Sequence, residues 1–214
     1  MYKIVKRILD IVLCSFALIV LSPVYLFAAV GIKMSSPGPV LYKSDRVGKN
    51  KKPFHFYKFR SMHETTKNKH MCVADPDRLF PFGKFIRKAK IDELPQLLNI
   101  IKGDMSIVGP RPMTLASKMY DGEFSEIRKV KPGLTSPASL YDYIVGDTYT
   151  DNDAYKKEVY PIKQRLELYY VRNMSLSYDI ELVLRTMGLV IGMVIGKKKF
   201  KKMPECSKIN MSIE

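Results

Sequence analysis

"IVLCSFALIVLSPVYLFAAVGI", residues 11–32, contains no charged side chain. At about 1.5 Å per residue this stretch is long enough to cross a hydrocarbon core of roughly 30 Å as one straight helix. Ser22-Pro23 interrupts it at its middle. Proline removes a backbone donor and clashes with the preceding turn, and a neighbouring serine can satisfy the freed carbonyl, so a kink is expected there.

The flanks add a second constraint. Lys3, Lys6 and Arg7 precede the stretch, and Lys33, Lys43, Arg46, Lys49, Lys51 and Lys52 follow it. Basic residues favour the cytoplasmic side of a membrane, and here both ends carry them. A hairpin broken at Ser22 and Pro23, entering one leaflet and returning, satisfies both; a kinked single crossing is the alternative. A cleaved signal peptide fits poorly, because its apolar core is typically about 7–15 residues.

At the other end, "TMGLVIGMVIG" (186–196) is uncharged and then meets "KKKFKK". It is too short to span, and it reads as an interfacial helix with a polybasic anchor for anionic lipid, or as a core helix followed by a solvated tail. The formal charge of +15 points to polyanionic partners: nucleic acid, phosphorylated ligands or an anionic bilayer. The odd cysteine count (Cys14, Cys72, Cys206) excludes a disulfide framework.

Between the ends, "SSPGP" (35–39) breaks the chain, and two strand-like runs flank the turn "GKNKK" within residues 39–62. Residues 64–77 read as a loop. Leu94, Leu97, Leu98 and Ile101 are spaced to line one helical face, residues 115–130 have helical spacing, 131–147 read as irregular, and a helix is expected around or after Pro161. The fold class is therefore mainly α with a small β-hairpin. The expected organisation is a re-entrant membrane hairpin (1–34), a cytoplasmic-facing catalytic domain (35–180), and an interfacial helix with a basic tail (181–214).

The chemistry concentrates in "KIDELPQLL" (90–98). Asp92 and Glu93 precede Pro95 at a helix start, which is what capping by acids in the first turn requires. Yet Arg87, Lys88 and Lys90 lie just upstream, and Arg111 sits in "GPRP" downstream. Guanidinium groups suit bidentate phosphate binding, and Gly103 and Gly109 permit close backbone approach to a ligand. Carboxylates ringed by such groups suggest a Mg²⁺-phosphate site. His55, His63, His70 and Cys72 lack metal-ligand spacing, and there is no Walker loop, GxGxxG or GxSxG.

The ordered blocks "KRILDIVL", "SPGPVLYKSDRVG", "FHFYKFRSM", "DPDRLFPFGKFIRKAKIDELPQLLNIIKGDMSIVGPRP" and "VKPGLT" closely resemble the small form of the monotopic phosphoglycosyl transferases, bacterial sugar transferases of the inner membrane. The resemblance implies a helix dipping into the inner leaflet, amphipathic interfacial helices, and an active site on the cytoplasmic face. It implies transfer of a sugar 1-phosphate from a UDP-sugar to undecaprenyl phosphate, with release of UMP, as the first membrane step of polysaccharide or glycoconjugate assembly. By position, Asp92 matches the covalent nucleophile and Glu93 the Mg²⁺ ligand. Arg87 and Arg111, with Lys58 and Arg60 of "YKFRSM", match phosphate binding. A homodimer and downstream glycosyltransferases are the further partners expected, and nucleic acid is not.

After "KPGLT" the chain departs from many relatives: "SPASLYDYIVGD" follows, and there is no tryptophan. Two other readings compete. One is a membrane-tethered basic protein binding nucleic acid or acidic lipid, which leaves "DELPQL" unexplained and lacks the interleaved aromatic platform single strands require. The other is a relative that hydrolyses the nucleotide sugar or serves as a scaffold.

Overall fold

A computed structural model describes residues 1–63, 76–197, 200 and 203–210. Most of the expected 64–77 loop, with His70 and Cys72, lies outside the described residues. The chain is mainly helical with a small antiparallel hairpin.

Helices α1 (Tyr2–Val20) and α2 (Ser22–Ser35) are bent by 61° at the Ser22-Pro23 break. The Ser22 hydroxyl donates to the Ile19 carbonyl at 2.8 Å, the acceptor that proline at position 23 leaves without its N–H donor. Among the described residues no single helix is long and apolar enough to cross a membrane, although this bent pair passes by length and composition.

α1 has two unlike faces. Cys14, Ala17 and Leu18 pack on Leu97, Ile100 and Met105, while Ile4, Ile8, Val12, Phe16 and Ile19 are exposed at helical spacing. The inward face also carries charge: Asp10 is buried and accepts the Ile107 N–H at 3.0 Å, and Arg7 donates to the carbonyls of Ile100 and Ile101. Those carbonyls belong to the last turn of α4 (Gln96–Lys102), where a cation is favoured.

Strands β1 (Leu41–Val47) and β2 (Pro53–Phe59) pair antiparallel, Leu41 opposite Phe59 and Val47 opposite Pro53. α4 docks on β2 through Asn99, fully buried, whose side-chain amide imitates a strand neighbour. It accepts the Tyr57 N–H at 3.1 Å and donates to the His55 carbonyl at 2.6 Å. The inward face of α4 therefore differs from the expected one. Gln96, Leu97, Asn99 and Ile100 point in, and Leu98 is 38% exposed.

Strands β3 (Ser106–Val108) and β4 (Gly133–Thr135) form a second, parallel pair. A Cβ on Gly133 would lie 2.1 Å from the Gly109 nitrogen, so these glycines serve backbone-to-backbone contact rather than ligand approach. Gly103 terminates α4 at φ +97°, a left-handed conformation that glycine adopts without strain.

Two further expectations are corrected. Over 115–130 the helical segment is a 3₁₀ run, Gly122–Lys129. Within 131–147, expected to be irregular, lie β4 and helix α5 (Pro137–Ile144), which starts on a Ser136 cap followed by proline. Helix α6 (Asn152–Arg172) runs through Pro161, and α7 (Leu176–Val194) leans on it and on α5 through Leu140, Tyr170, Leu182 and Leu189. α7 exposes Ile180, Leu184, Met187 and Ile191 on its other side. A short helix α8 (Pro204–Asn210) closes over α6, its Glu205 paired with Arg185 at 2.6 Å.

Candidate active site

Asp92 and Glu93 occupy a 3₁₀ turn, Ile91–Glu93, between helix α3 (Pro81–Lys88) and α4. Lys90 enters this turn at φ 55°, a left-handed conformation rare outside glycine, and so redirects the chain after α3. The capping expectation fails here: α4 begins after Pro95, with no acidic residue in its first turn and no side-chain cap. Both carboxylates instead point into the structure, 3% and 7% exposed.

Burying two adjacent acids is costly unless they are paired. Glu93 accepts four hydrogen bonds: Oε1 from Arg111 Nη2 at 2.7 Å and Lys58 Nζ at 2.9 Å, and Oε2 from Arg111 Nη1 at 3.1 Å and the Tyr143 hydroxyl at 3.3 Å. The Arg111 contact is bidentate, the strong form of this pair. Burial pushes the Glu93 pKa up, but the charges of Arg111 and Lys58 outweigh it and hold Glu93 well below the ordinary carboxylate range. Asp92 differs. Its Oδ2 reaches Lys58 only at 3.5 Å, and its buried Oδ1 has no hydrogen-bond partner among the described residues. Burial therefore raises its pKa, with Glu93 adding and Lys58 opposing.

The pair lines a cleft of about 1340 Å³. Of the residues singled out from sequence, Asp92, Glu93, Lys58, Arg87 and Arg111 line it together. Arg87, in the last turn of α3, accepts the Lys90 N–H at its backbone carbonyl and lines the cleft with its side chain. Lys90 Nζ stands 3.8 Å from the centre of the Tyr143 ring, and Arg46, Lys58 and Arg111 surround the buried Phe56 ring at 5.4, 5.9 and 6.0 Å.

Arg60 is elsewhere. β2 ends at Phe59, one residue before Arg60. Arg60 is 4% exposed and donates to the Ser36 carbonyl at 2.7 Å and the Pro37 carbonyl at 2.8 Å, tying the end of α2 to the end of the hairpin. It is a structural latch and not part of the cleft.

Sequence reasoning missed Tyr143, which α5 carries to Glu93, and the neighbouring Asp142, paired with Lys163 of α6 at 3.0 Å and with the Tyr155 hydroxyl. The signal that would have found them is Ser136-Pro137, a helix start inside the segment read as irregular.

No group of three or more His, Cys, Asp or Glu among the described residues is arranged to hold a metal. The donors nonetheless fit a hard cation that takes most of its ligands from phosphate and water. Glu93 is held ionised, and its Oε2 contacts, at 3.1 and 3.3 Å, are the loose ones.

Comparison with known proteins gives one family match: the model described as bacterial sugar transferase covers residues 1–193. The chain is 38% identical, over 89% of its length, to a UDP-N-acetylgalactosamine-undecaprenyl-phosphate N-acetylgalactosaminephosphotransferase of Aeromonas hydrophila, and spans 44% of that protein. It is 37% identical, over 85%, to a UDP-glucose:undecaprenyl-phosphate glucose-1-phosphate transferase of Caulobacter vibrioides, spanning 68% of it. It is also 37% identical, over 86%, to an exopolysaccharide production protein of Rhizobium leguminosarum, spanning 94%.

Proposed function

The chain belongs to the bacterial sugar transferases, and from that membership we propose that it moves a sugar 1-phosphate from a UDP-sugar to undecaprenyl phosphate, releasing UMP. The observation that carries this reading is the contrast within the acidic pair. Glu93 is paired with Arg111 and Lys58, while Asp92 keeps one buried oxygen without a partner among the described residues, in a basic cleft.

The reaction proceeds in two displacements. An oxygen of Asp92 bonds to the β-phosphorus, the bond from that phosphorus to the bridging oxygen breaks, and UMP leaves with that electron pair. A phosphate oxygen of undecaprenyl phosphate then attacks the same phosphorus, the bond to Asp92 breaks, and the carboxylate is regenerated. Burial makes Asp92 more basic than an ordinary aspartate and hence a better nucleophile, while Lys58, Arg87 and Lys90 counter the rise and favour its ionised form. Arg87 and Arg111 receive the phosphate oxygens, so the protein mainly positions groups and neutralises charge. Glu93 would hold Mg²⁺, which when bound would supply charge neutralisation of the diphosphate and of the departing nucleotide.

The exposed apolar faces of α1, α2 and α7, with the bend at Ser22-Pro23, support a monotopic placement in which the N-terminal pair re-enters the inner leaflet. In that placement the cleft opens at the cytoplasmic surface, where a lipid-linked acceptor arrives.

The test is UMP release from a panel of UDP-sugars by protein in nanodiscs, with and without undecaprenyl phosphate and Mg²⁺. At least one donor is expected to release UMP in step with lipid product, and Asp92→Asn to lower the rate by about 10³-fold or more. UMP release that proceeds without acceptor at the full rate would identify a hydrolase instead. An Asn variant as fast as wild type would remove Asp92 from the mechanism.

A further inference from the structure

Glu167 lies in the middle of α6, fully buried, and no part of the chemistry above uses it. Its Oε1 accepts the backbone N–H of Arg111 at 2.9 Å and the hydroxyl of Ser136 at 2.9 Å, and Oε2 has no hydrogen-bond partner among the described residues. The Arg111 carbonyl accepts the Tyr120 hydroxyl at 3.2 Å, so the backbone of this one residue is gripped at both poles. Its guanidinium is then left to engage Glu93. Ser136 is the cap of α5, accepting the Ser139 N–H at 3.0 Å, and α5 delivers the Tyr143 hydroxyl to Glu93.

A carboxylate is an expensive way to fill a helix interface, where an apolar side chain of similar volume packs at less cost. Its two donors come from the two segments that supply Arg111 and Tyr143, partners of Glu93. We propose that Glu167 is a positioning residue of the transfer reaction, a buried strut that fixes Arg111 and Tyr143 relative to Glu93 and so sets the geometry of the platform on which the diphosphate reacts. The proposal rests on the reading of Asp92 and Glu93 given above. Glu167 does not line the cleft. Burial drives its pKa up to about 7 against the opposing pull of the Arg111 N–H, Ser136 and Lys163, so a neutral acceptor of the same shape is a fair substitute.

The experiment compares Glu167→Gln, Glu167→Ala, Glu167→Met and Ser136→Ala in the full-length protein in nanodiscs, using a UDP-sugar that wild type accepts. Gln keeps the acceptor, and Met keeps the volume without it. Ala and Met are expected to lower kcat by about 10–100-fold, the scale of an ångström-sized misplacement, with the donor KM moving less than about threefold. Gln is expected to stay within about threefold of wild type, and Ser136→Ala to fall between. Rescue of kcat by Met, or a Gln variant as poor as Ala, would overturn the strut in favour of plain packing. Amide hydrogen exchange over residues 109–112 and 137–143 gives a readout independent of turnover. Faster exchange confined to those segments in Ala and Met, but not in Gln, is expected. Unchanged exchange overturns the proposal even if no UDP-sugar is turned over and the functional reading itself has failed. If the Ala and Met variants do not fold, Ser136→Ala carries both readouts, and wild-type values for it are the contrary result.

Discussion

At the scale of single residues, the site sets two demands against each other. In the proposed mechanism Asp92 attacks in its ionised form, and burial resists ionisation, so its folded-state pKa lies above the unfolded one. Between the two values the folded state binds more protons than the unfolded state, so stability falls as pH rises through that window. Asp92→Asn is therefore expected to raise the thermal midpoint at pH 7 relative to wild type and to lose that advantage at pH 4; an equal or lower midpoint at pH 7 would contradict it. The same sign applies to Glu167, whose pKa moves from 4.5 to about 7. Glu167→Gln removes a loss of stability that develops between those values and amounts to at most roughly 3 kcal/mol. A denaturant titration at pH 5 and pH 8 measures it. Catalysis responds through Lys58, the strongest influence lowering the Asp92 pKa. Lys58→Met is expected to move the acid limb of kcat/KM to higher pH as well as lowering the plateau, and an unmoved limb would show that Lys58 does not hold Asp92 ionised.

Single residues also show what the sequence could reveal of the site. Asp92, Glu93, Arg87 and Arg111 were legible as charged groups close in sequence, Lys58 only through the family resemblance, and the five line one cleft. Arg60 entered through the resemblance of "YKFRSM" alone, and it lies past the end of β2, where it holds Ser36 and Pro37. Glu167 and Tyr143 were invisible, because each acts across more than fifty positions or through a helix hidden in a breaker-rich segment.

At the scale of elements, the hairpin and the break at Ser22-Pro23 follow directly from local chemistry: alternating strand residues around "GKNKK", and a proline whose lost donor a serine replaces. α4 does not, because hydrophobic spacing assumes that the buried face is apolar. Here the inward face holds Gln96 and Asn99, and Leu98 turns outward. Asn99 makes the register of α4 on β2 specific, and β2 carries Lys58 to the acids. Asn99→Leu leaves the Tyr57 N–H and the His55 carbonyl without their Asn99 partners, at a cost of about 2–6 kcal/mol for the two. It is expected to lower both the denaturation midpoint and the transfer rate. A variant as stable as wild type would mean that α4 is held by its apolar contacts alone.

At the scale of the whole molecule, positive charge is concentrated around a buried acidic pair, and apolar surface lies on the outer faces of α1, α2 and α7. That arrangement suits a membrane-surface enzyme acting on a diphosphate better than a nucleic-acid binder, in which the acids would repel the ligand. The re-entrant placement puts residues 3 and 43 on one side of the bilayer. In a cysteine-free background, Lys3→Cys and Lys43→Cys are expected to react with an impermeant maleimide from the cytoplasmic side only. Labelling from opposite sides would make the N-terminal pair a kinked crossing.

The central claim is that Asp92 takes the phosphosugar. Incubating the protein with a UDP-sugar and Mg²⁺ in the absence of undecaprenyl phosphate, followed by acid quench and intact-mass and peptide analysis, tests it directly. About one UMP released per enzyme is expected, with a mass gain of one sugar phosphate on the peptide containing Asp92 and discharge when the lipid is added. No adduct under conditions where the complete reaction turns over, or an adduct that persists in Asp92→Asn, would contradict it.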